Sequence, residues 1–225
     1  MMIAVEQSTP TGSVALIRDS QVVGIRQWAE SRNRRQPVTG HIRDLMRESS
    51  VGWPDIEGYA VGVGPGGYSS LRVAVVTVTA LALPDAKPVY AVASADVLAL
   101  ESAIRENVRS VLVVGDARRE QLWWRLYTYG DAEVKSATSW QLAGPQGIDL
   151  PLADVAVTWD WERIGERVAS LLPAGTRLAA EPRAPTAAGV GALALSRQAR
   201  GVPSERLAPI YLHAAVAAKS GCAHC

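Results

Sequence analysis

Residues 62–72 read GVGPGGYSSLR, a glycine-dense segment between two apolar runs. Gly62-x-Gly64-x-x-Gly67 formally matches the dinucleotide-binding fingerprint, and backbone N–H groups opening a helix suit a phosphate, as does the helix dipole. Asp96, beyond the next apolar run, would then be the carboxylate for a ribose. Two features oppose this reading. Pro65 removes an N–H from the turn, and hairpin-like strands precede the segment where a doubly wound fold would begin. A Walker loop fails more simply, because it requires Gly-Lys-Ser/Thr and Lys87 is the first lysine of the chain. Anion binding by backbone alone survives, with Gly64, Gly66 and Gly67 as the cradle.

Other chemistry has less to stand on. The three histidines, His41, His213 and His224, are not spaced to share a helix face, and each reads as a surface or packing residue. No GxSxG elbow is present, and Ser69 and Ser70 are placed to cap the following helix. Cys222, His224 and Cys225 make at most half a zinc site and read as part of a flexible tail over 216–225. Arg32, Arg34 and Arg35 form a basic cluster that reads as a solvated helix start.

The elements that would position these groups follow from periodicity. MIAVEQ, SVALIRD and QVVGIRQWA, separated by short polar spacers, predict three antiparallel strands. Val38, Ile42, Leu45 and Met46 recur at helical spacing, with Pro37 in the first turn and Gly52 beyond the end. A strand over 56–63 leads into the glycine segment. The run from Ser69 to Leu83 is rich in β-branched residues but too long for a strand, and it predicts a four-turn helix. A short strand at 88–92 and a helix capped by Ser94, with Leu98 and Ile104 inward, complete a first half. SVLVVGD and QLWWRLYTY predict paired strands, 131–151 is weakly patterned, VAVTW is a short strand, and WERIGERVASLL and TAAGVGALALSRQARG are helices. The order suggests two related α/β halves, the second less regular.

The Ser69–Leu83 helix has no polar face in sequence: Leu71, Val73, Val75, Val76, Val78, Leu81 and Leu83 surround it. Such a helix is covered on all sides, by the Val38–Met46 helix or by another protein. Net charge is +1 over 225 residues, which gives no global footprint for nucleic acid or an anionic membrane. The run LRVAVVTVTALAL is too short for a membrane span, and the N-terminus opens directly in a strand pattern. With both cysteines in the last four residues, an intracellular, cytoplasmic protein without membrane association is expected.

Taken in order, MIAVEQSTPTGSVALIRD, IEGYAVGVGPGGYSSLRVAVVTVTALAL, PVYAVASADVLA, VVGDARREQLWWRLY and APIYLHAAVAAK resemble the TsaB (YeaZ) family, glycoprotease-like subunits of tRNA threonylcarbamoyladenosine biosynthesis. The resemblance runs over almost the whole chain. It implies an actin-like (ASKHA) α/β fold of two lobes, here expected at 1–93 and 94–215. It further implies a non-catalytic scaffold that heterodimerises with a metal-bearing, TsaD-type catalytic subunit acting at position 37 of tRNA. A TsaE-type ATPase joins through the complex, and contact with tRNA is indirect. ATP and metal are expected on the partner subunits, with none bound by this chain alone, and a homodimer is the competing assembly. By family resemblance the partner surface is carried by Arg34, Val38, Ile42 and Met46 on one helix and Tyr68, Leu71, Arg72, Val75 and Val78 on the next. Any phosphate or nucleotide contact would involve Glu6, Ser8, Thr9, Gly64, Gly66 and Gly67.

The chain departs from the family pattern in three places. Glu6 stands where the first strand usually ends in Asp, Arg34 where a histidine is common, and GGYSS where GS(F/Y)TG is usual, making Gly67 an extra glycine. The paired histidines of the catalytic paralogue are absent from the sequence. The alternative from another class is a stand-alone enzyme, a glycoprotease-like peptidase or a kinase-like ATPase, working at Gly64–Ser70.

Overall fold

A computed structural model describes residues 1–29, 36–144 and 147–212. Arg32, Arg34, Arg35, His213, Cys222, His224, Cys225 and the 216–225 segment lie outside the described residues.

The first sheet has the order β3-β2-β1-β4-β5. β1 (Met2–Glu6) is wholly buried and lies between antiparallel β2 (Thr11–Arg18) and parallel β4 (Gly58–Gly62). β3 (Gln21–Ala29) forms one edge against β2, and β5 (Val89–Val92) forms the other, parallel to β4. Two helices cover one face, α1 (Val38–Glu48) and α2 (Tyr68–Ala82). Val38, Ile42, Leu45 and Met46 of α1 and Ala74, Val75 and Val78 of α2 pack there with Ile3, Val5, Val14 and Leu16. Pro37 stands just before α1 at φ −58°, and its carbonyl accepts from the Gly40 and His41 N–H groups. The proline ring thus fixes the entry angle without removing a needed donor.

The second sheet has the order β11-β10-β6-β7-β8, with β9 also paired to β7. β6 (Ser110–Arg118) and β7 (Gln121–Gly130) form the expected hairpin. β8 (Glu133–Ser136) and β9 (Gln141–Ala143) add to β7, while β10 (Val155–Val157) and β11 (Arg177–Leu178) extend the other side in parallel. α4 (Trp161–Leu171) packs Ile164 and Val168 on the outer face, over Leu112, Val114 and Ala156.

Between the sheets lie α3 (Ser94–Glu106) and α5 (Ala187–Ala199). α5 rests on β1, β2 and β4 of the first sheet, although it follows the second sheet in sequence, and α3 rests on β6, β7 and β8. One apolar cluster therefore runs from Ala4, Ala15 and Ile17 through Leu98 and Val190 to Val111, Trp123 and Val155. The result is the expected arrangement of two mixed-sheet lobes with flanking helices.

Three local expectations need correction. α2 begins at Tyr68 with Gly67 before it, and no side chain caps it; the Ser70 hydroxyl donates to the Gly67 carbonyl instead, at 3.1 Å. Ser94 is the first residue of α3 rather than its cap, because its hydroxyl serves Glu6 and Gly64. Ile104 faces water at 59% exposure, while Leu98 is buried as expected.

Candidate functional site

The glycine segment folds against the β1–β2 turn. Glu6 is fully buried, and its carboxylate accepts from the Ser8 N–H at 2.6 Å and the Ser94 hydroxyl at 2.7 Å. Ser94 Oγ in turn accepts from the Gly64 N–H at 3.0 Å, tying the strand end, the glycine loop and α3 together. Burial holds the Glu6 carboxyl above its ordinary pKa, against the lowering effect of the bonds from Ser8 and Ser94. A side chain at position 62 would place its Cβ 1.8 Å from Glu6 Oε2, and one at position 66 would come within 2.2 Å of the Ser8 carbonyl. Gly64 adopts φ +94°, a region open to glycine and rarely to other residues.

The expectation of a phosphate cradle is corrected by this geometry. The Gly67 N–H, one of the expected donors, is taken up by the Ser8 carbonyl at 2.7 Å. Glu6, Ser8, Thr9 and Gly64 are buried, and Thr9 Oγ1 stitches its own turn by bonding the Thr11 backbone. Gly66 and the extra Gly67 remain at the surface. What the glycines allow to approach is the chain's own β1–β2 turn.

Asp96 is likewise engaged. Its carboxylate accepts from Tyr127 Oη at 2.9 Å and Arg197 at 2.6 Å, with Arg125 at 3.7 Å. It joins α3 to β7 and α5 and is not free for a ribose. His41 stacks on Trp28 with ring centroids 3.8 Å apart, a packing role. Among the described residues no group of His, Cys, Asp and Glu could hold a metal ion, and no helix is long and apolar enough to cross a membrane.

The partner face needs a larger correction. Val38, Ile42 and Met46 of α1 and Val75 and Val78 of α2 are buried in the core of the first sheet, and Leu71 is buried beside Gly64, so these side chains offer a partner little surface. The outward stripe of α2 is Val73, Val76, Ala80 and, at its end, Leu83, spaced three, four and three apart. Val73 is 49% exposed, Val76 66% and Leu83 75%. Nothing among the described residues covers the stripe, although a helix facing water ordinarily carries polar groups there. The sequence pattern contained this stripe, but a helix apolar on every side does not say which residues face the sheet.

At the N-terminal end of α2, Tyr68 and Arg72 are exposed. Arg72 lies 4.0 Å over the Tyr68 ring and donates from Nε to Tyr211 Oη at 2.8 Å. Tyr211, which sequence reasoning missed, stands 139 residues away and leaves no local signal. Together they form an aromatic–cationic corner beside the apolar stripe.

Comparison with known proteins agrees with these motifs. A family model described as TsaD, tRNA N6-adenosine threonylcarbamoyltransferase, matches residues 19–152, more than half of the chain. An uncharacterized protein of Mycobacterium tuberculosis is 26% identical over 140 residues, covering 61% of this chain and 64% of that protein. The tRNA threonylcarbamoyladenosine biosynthesis protein TsaB of Escherichia coli is 26% identical over 126 residues, covering 56% and 54%. The chain thus spans less than two thirds of the length of these curated relatives. In structure the likeness is fuller: YeaZ from Pseudomonas aeruginosa superposes with a TM-score of 0.79 at 28% identity, covering 94% of this chain and 99% of that one. The chain belongs to the family of the matched model, in its TsaB (YeaZ) group.

Proposed function

We propose that the chain is a non-catalytic scaffold and activator in forming N6-threonylcarbamoyladenosine at position 37 of tRNA. It does so by heterodimerising with a TsaD-type catalytic subunit through the outer face of α2. The observation that carries the reading is the uncovered stripe Val73–Val76–Ala80–Leu83 beside the Tyr68–Arg72–Tyr211 corner. An apolar centre flanked by aromatic and arginine side chains is the composition that protein interfaces favour. In this reading ATP and metal reside on the partner subunits, a TsaE-type ATPase joins through the complex, and tRNA is contacted indirectly. A stand-alone peptidase or ATPase at Gly64–Ser70 has less support, because Glu6 and the Gly67 N–H are engaged within the chain.

Affinity capture of the chain with a TsaD-type subunit tests this reading. Val76→Asp should abolish capture while thermal unfolding stays at the parent temperature. Capture of that variant at parent affinity would overturn it. Light scattering of the isolated chain distinguishes a homodimer through the same stripe, which the same substitution would dissociate.

A further inference from the structure

The aromatic–cationic corner of α2 is completed from the far end of the chain. After α5, residues 204–211 return to the outer edge of β5 and act as a strap. The Glu205 N–H donates to the Ala91 carbonyl at 3.0 Å, and Ser204 Oγ accepts from the Ala91 N–H at 2.8 Å while donating to the same carbonyl at 3.1 Å. Further on, the Ile210 N–H donates to the Val63 carbonyl at 2.8 Å, and the Ile210 side chain packs on the core beneath α1 and α2. These bonds occupy backbone groups of an edge strand and pin the strap one residue short of Tyr211. Tyr211 is thus delivered to α2, with its ring centroid 5.2 Å from that of Tyr68 and its hydroxyl accepting from Arg72 Nε at 2.8 Å.

Arg72 is held in this way on two sides, by the Tyr68 ring 4.0 Å from its guanidinium carbon and by Tyr211 at Nε. Its charge is nevertheless unmatched. α2 contains no Asp or Glu, and among the described residues no carboxylate pairs with Arg72 and nothing accepts from its two terminal nitrogens. Those nitrogens are the end of the guanidinium fork, which fits the two oxygens of a carboxylate. An arginine already held in one orientation loses less freedom on pairing than one that is free to swing. Val76 of the apolar stripe lies one turn along α2 on the same helical face, so whatever covers the stripe also reaches Arg72. A surface that is apolar against Val76 belongs to a protein, whose group matching the fork is an acidic side chain. Resting on the reading of this face as the surface for a TsaD-type subunit, we propose that Arg72 pairs with an Asp or Glu side chain of that subunit and that Tyr211 is the positioning residue that presents it. The stripe supplies contact area without direction, whereas one paired fork fixes the register of docking.

Titration calorimetry of the full chain with a TsaD-type subunit, at about 50 and about 500 mM NaCl, is the direct test. The parent should bind more weakly at the higher salt. Arg72→Gln should weaken binding at low salt by about tenfold or more, the loss expected for hydrogen bonds between charged groups, and should reduce the salt dependence. Arg72→Lys should keep the salt dependence but lose affinity, because an ammonium cannot form the fork. Tyr211→Phe keeps the ring and removes the acceptor, so binding should weaken by about threefold with the salt dependence retained. Both positions are exposed, and each variant should unfold at the parent temperature. Arg72→Gln with the parent's affinity, or with the parent's salt dependence, would overturn the pairing, and Tyr211→Phe with the parent's affinity would overturn the positioning role. Binding lost in Val76→Asp but unchanged in these variants would leave the α2 surface standing without the Arg72 pair, whereas no binding by the parent would overturn both.

Discussion

Glu101→Gln should stabilise the protein above neutral pH and leave it unchanged below about pH 4. Glu101 sits at the junction of α3 and α5, largely buried, where it accepts a hydrogen bond from Thr186 Oγ1. Burial pushes its pKa from 4.5 to about 7; the Thr186 bonds act in the opposite sense, and the Glu6 carboxylate adds to the rise. In the unfolded chain the group has its ordinary pKa. Between pH 4.5 and about 7 the native state therefore keeps a proton that the unfolded state releases, and stability declines as pH rises. Above pH 7 the loss is complete and amounts to about 3 kcal/mol, taken from the pKa difference. Glutamine keeps an acceptor for Thr186 and carries no charge, so it escapes that loss. Urea unfolding at pH 4, 5, 6, 7 and 8 should give nearly coincident midpoints at pH 4, a gap of about 1 kcal/mol at pH 5 and a gap of about 3 kcal/mol at pH 8, the last corresponding to roughly 6–12 °C in Tm. Parallel pH profiles for parent and variant, or a variant less stable at pH 8, would mean that Glu101 is not held protonated by burial.

Two further substitutions probe the junctions that fix the lobes. Tyr127→Phe removes one donor from Asp96 while Arg197 and Arg125 remain, so urea unfolding should show a loss of about 1–2 kcal/mol, and a change below about 0.3 kcal/mol would deny the network a structural role. Gly62→Ala sets a methyl group 1.8 Å from Glu6 Oε2, a clash with a buried carboxylate, and should lower Tm by at least about 5 °C in differential scanning calorimetry; an unchanged Tm would mean that Glu6 is free to move.

Much of this fold was legible because its signals are local. The first three strands declare themselves through polar spacers between apolar runs, and α1 through the spacing of Val38, Ile42, Leu45 and Met46. β8, β9 and β11 are two to four residues long, too short for a periodic pattern, and their pairing comes from the neighbouring strand. The site was legible in part. Periodicity identified α2 as over-apolar, yet Val75 and Val76 are alike in chemistry, and only the position of the sheet makes one core and the other surface. The glycine segment was read correctly as a place of close backbone approach, but Glu6 and Ser8, 56 or more residues upstream, reveal themselves as its neighbours only in three dimensions. Tyr211, Thr186 and Arg183 share that property, since each acts through contacts remote in sequence.

In the proposed complex, α2 presents its outer stripe to a TsaD-type subunit. The most direct measurement is the dissociation constant of that pair, by calorimetry, for the parent and for Val76→Asp, with circular dichroism confirming the fold of each. Loss of a hydrophobic contact near an interface centre, with a charge left in its place, should weaken binding by at least about 30-fold while Tm stays within about 2 °C. Equal dissociation constants for the two proteins would contradict the account.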